Sequence, residues 1–201
     1  MISPKNGFSV SGSISLNGNK ITPGKELVIQ PVFQDPTLYF NPSWTMKTCL
    51  FEPFILRGVS ENIAIKEITE ALEYFSLGNC NLENKPGNFS GGELQRLSIL
   101  RAVFFHPEIL LMDEPVSGLD RIVLYDTIMF LKKLQSNKDL TIFIVSHDLE
   151  FIANISEYIY IIFNGEIVES GLTSEVLENP TNQYTIDLLN SRDLSGIKIK
   201  K

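Results

Sequence analysis

Short apolar runs alternate along this chain with segments whose apolar residues recur at helical spacing. The runs at 109–112 and 140–145 are almost continuously apolar, which predicts buried strands of a parallel sheet, and 27–33 predicts another strand, interrupted by Pro31. Steps of three and four residues predict helices, and Asn-Gly pairs predict two-residue hairpin turns. The predicted helices cover 61–77, 94–105, 122–134, 149–155 and 174–179, and the turns lie at Asn17-Gly18 and Asn164-Gly165.

A glycine pair opens the helix predicted at 94–105. Ser90 precedes Gly91 and Gly92, and Glu93 follows them. Glycine leaves room for a phosphate to approach the main chain, and the free N–H groups of a helix start attract an anion. Ser90 adds a hydroxyl donor. Taken alone, Ser90-x-x-Glu93 is more simply a capping box with a flexible glycine lead-in, and both interpretations stay open at this point.

Two carboxylates stand where the apolar run 109–112 stops. Asp113 and Glu114 therefore lie at the carboxyl end of a predicted strand, where parallel sheets bind their ligands. One acid there can hold a Mg²⁺ ion that bridges phosphate oxygens, and the next can polarise an attacking water. A solvated acidic turn is the alternative. The close succession of glycine-headed helix, strand and acids favours a nucleoside triphosphate site.

The stretch 88–120 resembles the signature motif, Walker B strand and D-loop of ATP-binding-cassette (ABC) ATPases. The resemblance implies that the signature contacts ATP, although this motif usually ends in glutamine and here ends in glutamate. It implies that Asp113 belongs to the magnesium site, that Glu114 is the catalytic carboxylate, and that Asp120 lies in the D-loop. The implied ATP-binding residues are thus Ser90, Gly91, Gly92, Glu93 and Asp120.

Two further positions resemble motifs of the same family. Gln34 stands where the Q-loop glutamine is expected, and the resemblance implies that its amide ligates Mg²⁺ or contacts the attacking water. His147 follows the strand at 140–145 and resembles the switch histidine, which can donate to the γ-phosphate. His106, before Pro107, is interpreted as structural. The implied catalytic set is Glu114, His147 and Gln34.

The resemblance also implies the fold: an α/β P-loop NTPase (RecA-like) ABC ATPase core with an inserted helical subdomain. The expected division is a residual β part at 1–36, a helical subdomain at 37–105 and the second half of the core at 106–201. In the family, the neighbourhood of 44–54 receives the membrane subunit. These aromatic and apolar residues can equally be subdomain core.

The phosphate-binding string of the fold, G-x-x-x-x-G-K-[ST], does not occur in the 201 residues. The nearest segment runs from Gly18 to Glu26 and includes Gly24 and Lys25. It begins in a hairpin turn, has one residue too many between the glycines and places Glu26 where a hydroxyl is needed, so a surface turn is expected. We therefore expect a chain that lacks the N-terminal Walker A strand and helix. Apolar side chains of 110–112 and 142–145 should then be exposed where that helix would pack.

Composition limits the choice of partners. A net charge of −7 argues against a primary nucleic-acid role, because neutralising phosphates requires a basic face. Only Cys49 and Cys80 are present, and reduced thiols in a cytosolic protein are expected. No apolar run approaches the ~20 residues that span a bilayer. Residence at the cytoplasmic face of the cell membrane is therefore expected to come through transmembrane permease subunits.

The sequence favours one function within the family. The segment at Gln34-Asp35-Pro36 and the tail at Tyr184-Thr185 resemble importers of peptides, nickel or a related metal complex. The expected protein hydrolyses ATP as a head-to-tail dimer with a second ABC ATPase subunit, and this chain is expected to be inactive alone. Two alternatives stay open: a non-catalytic partner that supplies the signature in trans, and a soluble ABC ATPase of repair or translation.

Overall fold

The computed structural model describes residues 12–20, 28–136 and 140–191. Gly24, Lys25 and the start of the strand predicted at 27 lie outside the described residues. Hydrogen bonding divides the strands into two small antiparallel hairpins and one parallel sheet. The strands are β1 (Ser15–Leu16), β2 (Asn19–Lys20), β3 (Ile29–Val32), β4 (Ile109–Asp113), β5 (Thr141–Val145), β6 (Tyr158–Phe163) and β7 (Glu166–Leu172).

Seven α-helices and two short 3-10 helices connect the strands in the described residues. Three of the α-helices and both 3-10 helices lie in sequence between β3 and β4, and one α-helix joins β4 to β5. The helices are α1 (Met46–Leu56), α2 (Glu61–Tyr74), α3 (Gly91–Val103), α4 (Arg121–Gln135), α5 (Leu149–Ile155), α6 (Thr173–Glu178) and α7 (Gln183–Asn190), and the 3-10 helices are Pro36–Tyr39 and Pro86–Asn88.

The parallel sheet has the strand order β3-β4-β5, as expected for an α/β core. Val32 of β3 pairs with Met112 of β4, which pairs with Ile144 of β5. Pro31 lies within β3 and does not end it. Because β3 is an edge strand among the described residues, a proline can be accommodated there.

The two faces of this sheet differ in burial. Leu110 and Met112 are fully buried and belong to the main hydrophobic core. On the opposite face Leu111 is 38% exposed, and Phe143 and Val145 are each 51% exposed. The expected exposure of apolar side chains on these strands is therefore found on one face only. A doubly wound α/β sheet normally buries both faces.

Helices α1, α2 and α3 enclose much of the core. Leu97, Ile99 and Leu100 of α3 are almost fully buried, and Phe54 of α1 packs on Phe104 with a ring-centroid separation of 4.9 Å. Much of the segment at 44–54 is thus helical, and part of it fills this core. None of the helices among the described residues is long and apolar enough to cross a membrane.

The end of α2 depends on the local backbone conformation, which the spacing of apolar residues does not predict. The prediction that a helix extends to residue 77 was wrong, because α2 ends at Tyr74 and Ser76 adopts a φ of +58°. The Leu77 N–H then donates to the Leu72 carbonyl over 2.8 Å, which satisfies an otherwise free helix-end acceptor. Leu77 is buried although it lies beyond the helix, so its apolar character extended the apparent period.

The Glu169 carboxylate of β7 accepts several hydrogen bonds from the tail after α6. Glu169 accepts from the Thr181 N–H over 2.7 Å, the Thr181 hydroxyl over 2.8 Å and the Asn182 N–H over 3.3 Å. The nearby Thr185 hydroxyl is buried and does not meet the geometry of a hydrogen bond. It nevertheless makes the largest contribution to stabilising the negative charge of Glu169. The Thr185 hydroxyl and these Thr181 and Asn182 donors lower the pKa of Glu169 to about 2.

We expect Glu169→Gln to lower Tm at pH 7 by about 2–8 °C, corresponding to a loss of about 1–2 kcal/mol from weakened hydrogen bonds. Since the folded pKa is below the ordinary value of 4.5, the carboxylate stabilises the fold above that value and loses its effect as pH falls towards 2. The difference in Tm between wild type and variant should narrow over that interval. Thermal melts of Glu169→Gln beside Glu166→Gln test this, and equal losses from both variants would contradict it.

Candidate nucleotide site

Three predicted site residues follow neighbouring strands of the parallel sheet. Gln34 comes after β3, Glu114 after β4 and His147 after β5. The pairing of Asp113 with Val145 brings the ends of the last two strands level. The carboxyl edge of the sheet therefore collects the residues for which catalytic roles were predicted, as is typical of ligand sites in such folds.

Glu114 and His147 are in direct contact. The Glu114 Oε1 atom lies 2.7 Å from His147 Nδ1 and accepts from the His147 backbone N–H over 2.9 Å. Ser146 donates its hydroxyl to Glu114 Oε2 over 3.3 Å and accepts from the Asp148 N–H. The carboxylate is thus held at the end of β5, with 18% of its side chain exposed, beside a histidine with 67% exposed.

The backbone at Glu114 is strained. Its φ is +46°, in a region that costs a residue with a Cβ about 1–3 kcal/mol. The Glu114 N–H donates to the Val145 carbonyl over 2.8 Å, which helps to hold this conformation. Such strain is often found at functional sites, and here it fixes the carboxylate between two strand ends.

The contact between Glu114 and His147 determines which ring nitrogen of His147 carries a proton. An ionised carboxylate only accepts hydrogen bonds, so His147 Nδ1 must carry hydrogen while the contact lasts. The Nε2 atom can then donate to a phosphate only if the imidazole is positively charged. Otherwise His147 must release Glu114 before a neutral Nε2–H can face a ligand.

The predicted metal residues offer oxygen ligands only. Asp113 is exposed at the end of β4, and Gln34 is exposed after β3. Across the described ranges, no group of three or more His, Cys, Asp and Glu side chains is arranged to hold a metal. One carboxylate and one amide suit Mg²⁺, which keeps water ligands and binds substrate phosphates, but they form only part of a coordination set.

At the start of α3, the capping box considered from the sequence is present. The Ser90 oxygen accepts from the Glu93 N–H over 3.3 Å, and Glu93 Oε2 accepts from the Ser90 N–H over 2.8 Å. A Cβ added at Gly91 would have no neighbouring heavy atom within 4 Å. The main chain there is open to a ligand, so the cap leaves room for a phosphate to approach the backbone of Gly91.

Gly92 has a packing role that the sequence did not reveal. A Cβ at this position would lie 3.1 Å from Val123 Cγ1 on α4. Asp120 caps the same helix by accepting from the Ile122 and Val123 N–H groups over 2.9 and 3.0 Å. The predicted signature and D-loop residues are therefore joined by close packing of the helices that carry them.

Four of the predicted site residues lie in two hydrogen-bonded groups. Glu114 belongs to one with His147 and Ser146, and Ser90 belongs to the other with Glu93. No hydrogen bond joins the two groups within the described part of the chain. Sequence reasoning missed the Ser146 contact and the 3.8 Å ion pair of Arg96 with Asp126 between α3 and α4. Ser146 could have been suspected because it stands beside His147 at a strand end.

Comparison with known proteins identifies the family to which the chain is similar. A family model described as ABC transporter matches residues 5–117. The chain is 33% identical over 165 residues to the oligopeptide transport ATP-binding protein OppF of Bacillus subtilis, covering 81% of this chain and 54% of that protein. It is 34% identical over 177 residues to OppF of Escherichia coli, covering 86% of this chain and 52% of that protein. The chain thus spans about half the length of these relatives.

A solved structure supports the fold independently of close sequence similarity. The structure of cbiO1 from Clostridium perfringens, described as part of the ABC transporter complex cbiONQ, matches with a TM-score of 0.72 and 21% identity. The match covers 91% of this chain and 73% of that chain. The α/β P-loop ABC ATPase fold is thereby confirmed, and the family match over 5–117 shows that this chain belongs to the ABC transporter family of ATP-binding proteins.

Proposed function

We propose that this chain is part of an ATP-hydrolysing subunit of an ABC importer for peptides. The contact between Glu114 and His147, 2.7 Å apart at adjacent strand ends, is the observation that carries the catalytic part of the proposal. The names of the oligopeptide relatives support the choice of substrate. Nickel or a related metal complex is the alternative solute within this branch.

The residues at the carboxyl edge of the sheet suit the chemistry of ATP hydrolysis. Asp113 and Gln34 would hold Mg²⁺, which neutralises phosphate charge when it is bound. Glu114 would accept a proton from the attacking water, and His147 would donate to the γ-phosphate oxygen. Ser146 and the His147 backbone N–H hold the carboxylate in place for this role.

The second group, at Ser90, would act on a different ATP molecule. We propose a head-to-tail pair in which Ser90, Gly91, Gly92 and Glu93 close over ATP held by the phosphate-binding loop of a second ABC ATPase subunit. Asp120 would lie at the interface. Supplying the signature in trans without hydrolysis of its own is the non-catalytic alternative, and it uses the same surface.

Membrane association is proposed to come through permease subunits at the cytoplasmic face, with residues 37–105 as the helical subdomain that contacts them. The divisions at 36/37 and 105/106 remain predictions. Co-purification distinguishes the importer from a soluble ABC ATPase of repair or translation. Recovery with membrane subunits supports the importer, and recovery with ribosomes contradicts it.

We expect the 201-residue chain to bind Mg-ATP weakly. The roles predicted for Ser90, Glu114 and His147 are all at the γ-phosphate end of ATP. No G-x-x-x-x-G-K-[ST] string is present to enclose the other phosphates. Titration calorimetry should detect no tight site. A micromolar dissociation constant for the monomer would contradict this expectation and direct attention to Gly24 and Lys25.

A further inference from the structure

The Ser90 hydroxyl has a single proton, and that proton is already engaged. Ser90 Oγ donates to Glu93 Oε2 over 2.8 Å, while the serine oxygen accepts from the Glu93 N–H. A hydroxyl donates only one hydrogen bond. Ser90 must therefore give up Glu93 before it can donate to a phosphate oxygen.

The Glu93 carboxylate is held from its other side as well. The Cys80 thiol donates to Glu93 Oε1 over 3.5 Å, and the Ser90 N–H donates to Oε2 over 2.8 Å. Burial raises the pKa of Cys80, which keeps the sulfur protonated and able to donate. These contacts favour one position of the carboxylate, facing Ser90.

The charge of Glu93 is only partly offset. Arg96, one turn further along α3, donates to the Gly92 carbonyl and the Phe75 carbonyl and pairs with Asp126. No basic side chain forms an ion pair with Glu93 within the described residues. Hydrogen bonds from the Ser90 N–H and hydroxyl lower the pKa of Glu93, so the group is a carboxylate at neutral pH.

We propose that Glu93 restrains the signature by competing with the γ-phosphate of ATP for the Ser90 proton. A carboxylate accepts a hydrogen bond more strongly than an amide does, and it also repels the phosphate charge. Engagement of this half-site with ATP is thereby weaker than it would be with glutamine at 93. The inference rests on the proposed head-to-tail function and identifies what regulates it.

The test measures association of the full chain with the intact peptide-importer ATPase subunit of the same organism, whose catalytic glutamate is replaced by glutamine to prevent turnover. Glu93→Gln should strengthen association in Mg-ATP by about 3–30-fold. In Mg-ADP the same substitution should change nothing, because ADP has no γ-phosphate. A purely structural role for Glu93 would not produce this dependence on the nucleotide.

Glu61→Gln is the matched control. Glu61 also lies in the first turn of a helix after a serine, but the Ser60 side chain makes no capping hydrogen bond. Glu61→Gln should leave the association constant unchanged, and melts should show that Glu93→Gln remains folded, since an amide oxygen can still accept from the Ser90 N–H.

The possible outcomes distinguish failure of the proposed restraint from failure of the head-to-tail function on which it rests. The restraint alone is overturned if the unmutated chain associates in an ATP-dependent way and Glu93→Gln leaves that association unchanged. The same holds if Glu93→Gln strengthens association equally in Mg-ATP and Mg-ADP. No ATP-dependent association by either chain overturns the head-to-tail function and the restraint with it. A gain confined to Mg-ATP supports both.

Discussion

Replacing Ser90 by arginine is expected to abolish the stimulation of an intact ATPase partner that is proposed for this chain. Ser90 is exposed at the start of α3, beside the open main chain of Gly91. A long side chain there would occupy the space that the γ-phosphate needs, and the hydroxyl donor would be lost. Losing one such donor alone costs about 10²–10³ in rate. Steady-state ATPase assays of the mixed pair measure the loss.

Two variants make the Ser90 result interpretable. Ser60→Arg places the same bulk at the start of α2, where the native serine does not cap the helix, and should keep the stimulation. Glu114→Gln should also keep it, because hydrolysis at the composite site would use the partner's carboxylate. Equal losses from Ser90→Arg and Glu114→Gln would refute the composite site.

Glu114→Gln is expected to have its large effect in a different context. When a phosphate-binding strand and helix from a relative are joined in front of this chain, Glu114 would face a complete half-site. The substitution should then lower the rate of hydrolysis by about 10²–10⁴-fold, since the amide cannot accept the water's proton. Single-turnover assays separate this chemical step from nucleotide binding.

The control for that experiment is Glu108→Gln, which removes the same charge at the other end of β4. It should leave the rate close to that of the unmutated fusion. Hydrolysis that survives Glu114→Gln at the same rate would show that another group, or water alone, accepts the proton. His147 would then remain as the residue to examine, because its Nδ1 atom lies 2.7 Å from the Glu114 side chain.

The sequence predicted most of the parallel sheet correctly, because buried strands are almost continuously apolar. The runs at 109–112 and 140–145 became β4 and β5 with shifts of one residue. Helix ends were less predictable. The left-handed conformation of Ser76 is a backbone property, and no periodicity of side chains encodes it.

For the candidate site as well, the positions of residues at strand ends could be predicted, but their hydrogen bonds could not. Asp113, Glu114 and His147 could be assigned to strand ends, since strand polarity alone places them there. Their hydrogen bonds could not be assigned, because the strained φ of Glu114 determines which way its carboxylate points. Likewise, the sequence suggested both a cap and a phosphate site at Ser90, and only the structure shows that the cap engages the hydroxyl.

The exposed face of the parallel sheet is relevant to every assay proposed above. Leu111, Phe143 and Val145 are apolar and accessible on that face. Fully burying such a side chain is worth about 1.5–3 kcal/mol, and these three are already about half buried, so covering each would add about 1 kcal/mol to an ordinary domain stability of about 5–15 kcal/mol. Each variant should therefore be compared by melting temperature before its activity is interpreted.

This chain is proposed to complete an ATP site on a second subunit. The most direct test titrates the unmutated chain into an intact peptide-importer ATPase subunit from the same organism and follows its rate of ATP hydrolysis. We expect a saturable increase in this rate that reaches its plateau at equal amounts of the two proteins. A rate that stays at the level of the intact subunit alone, at every concentration of folded chain, would contradict it.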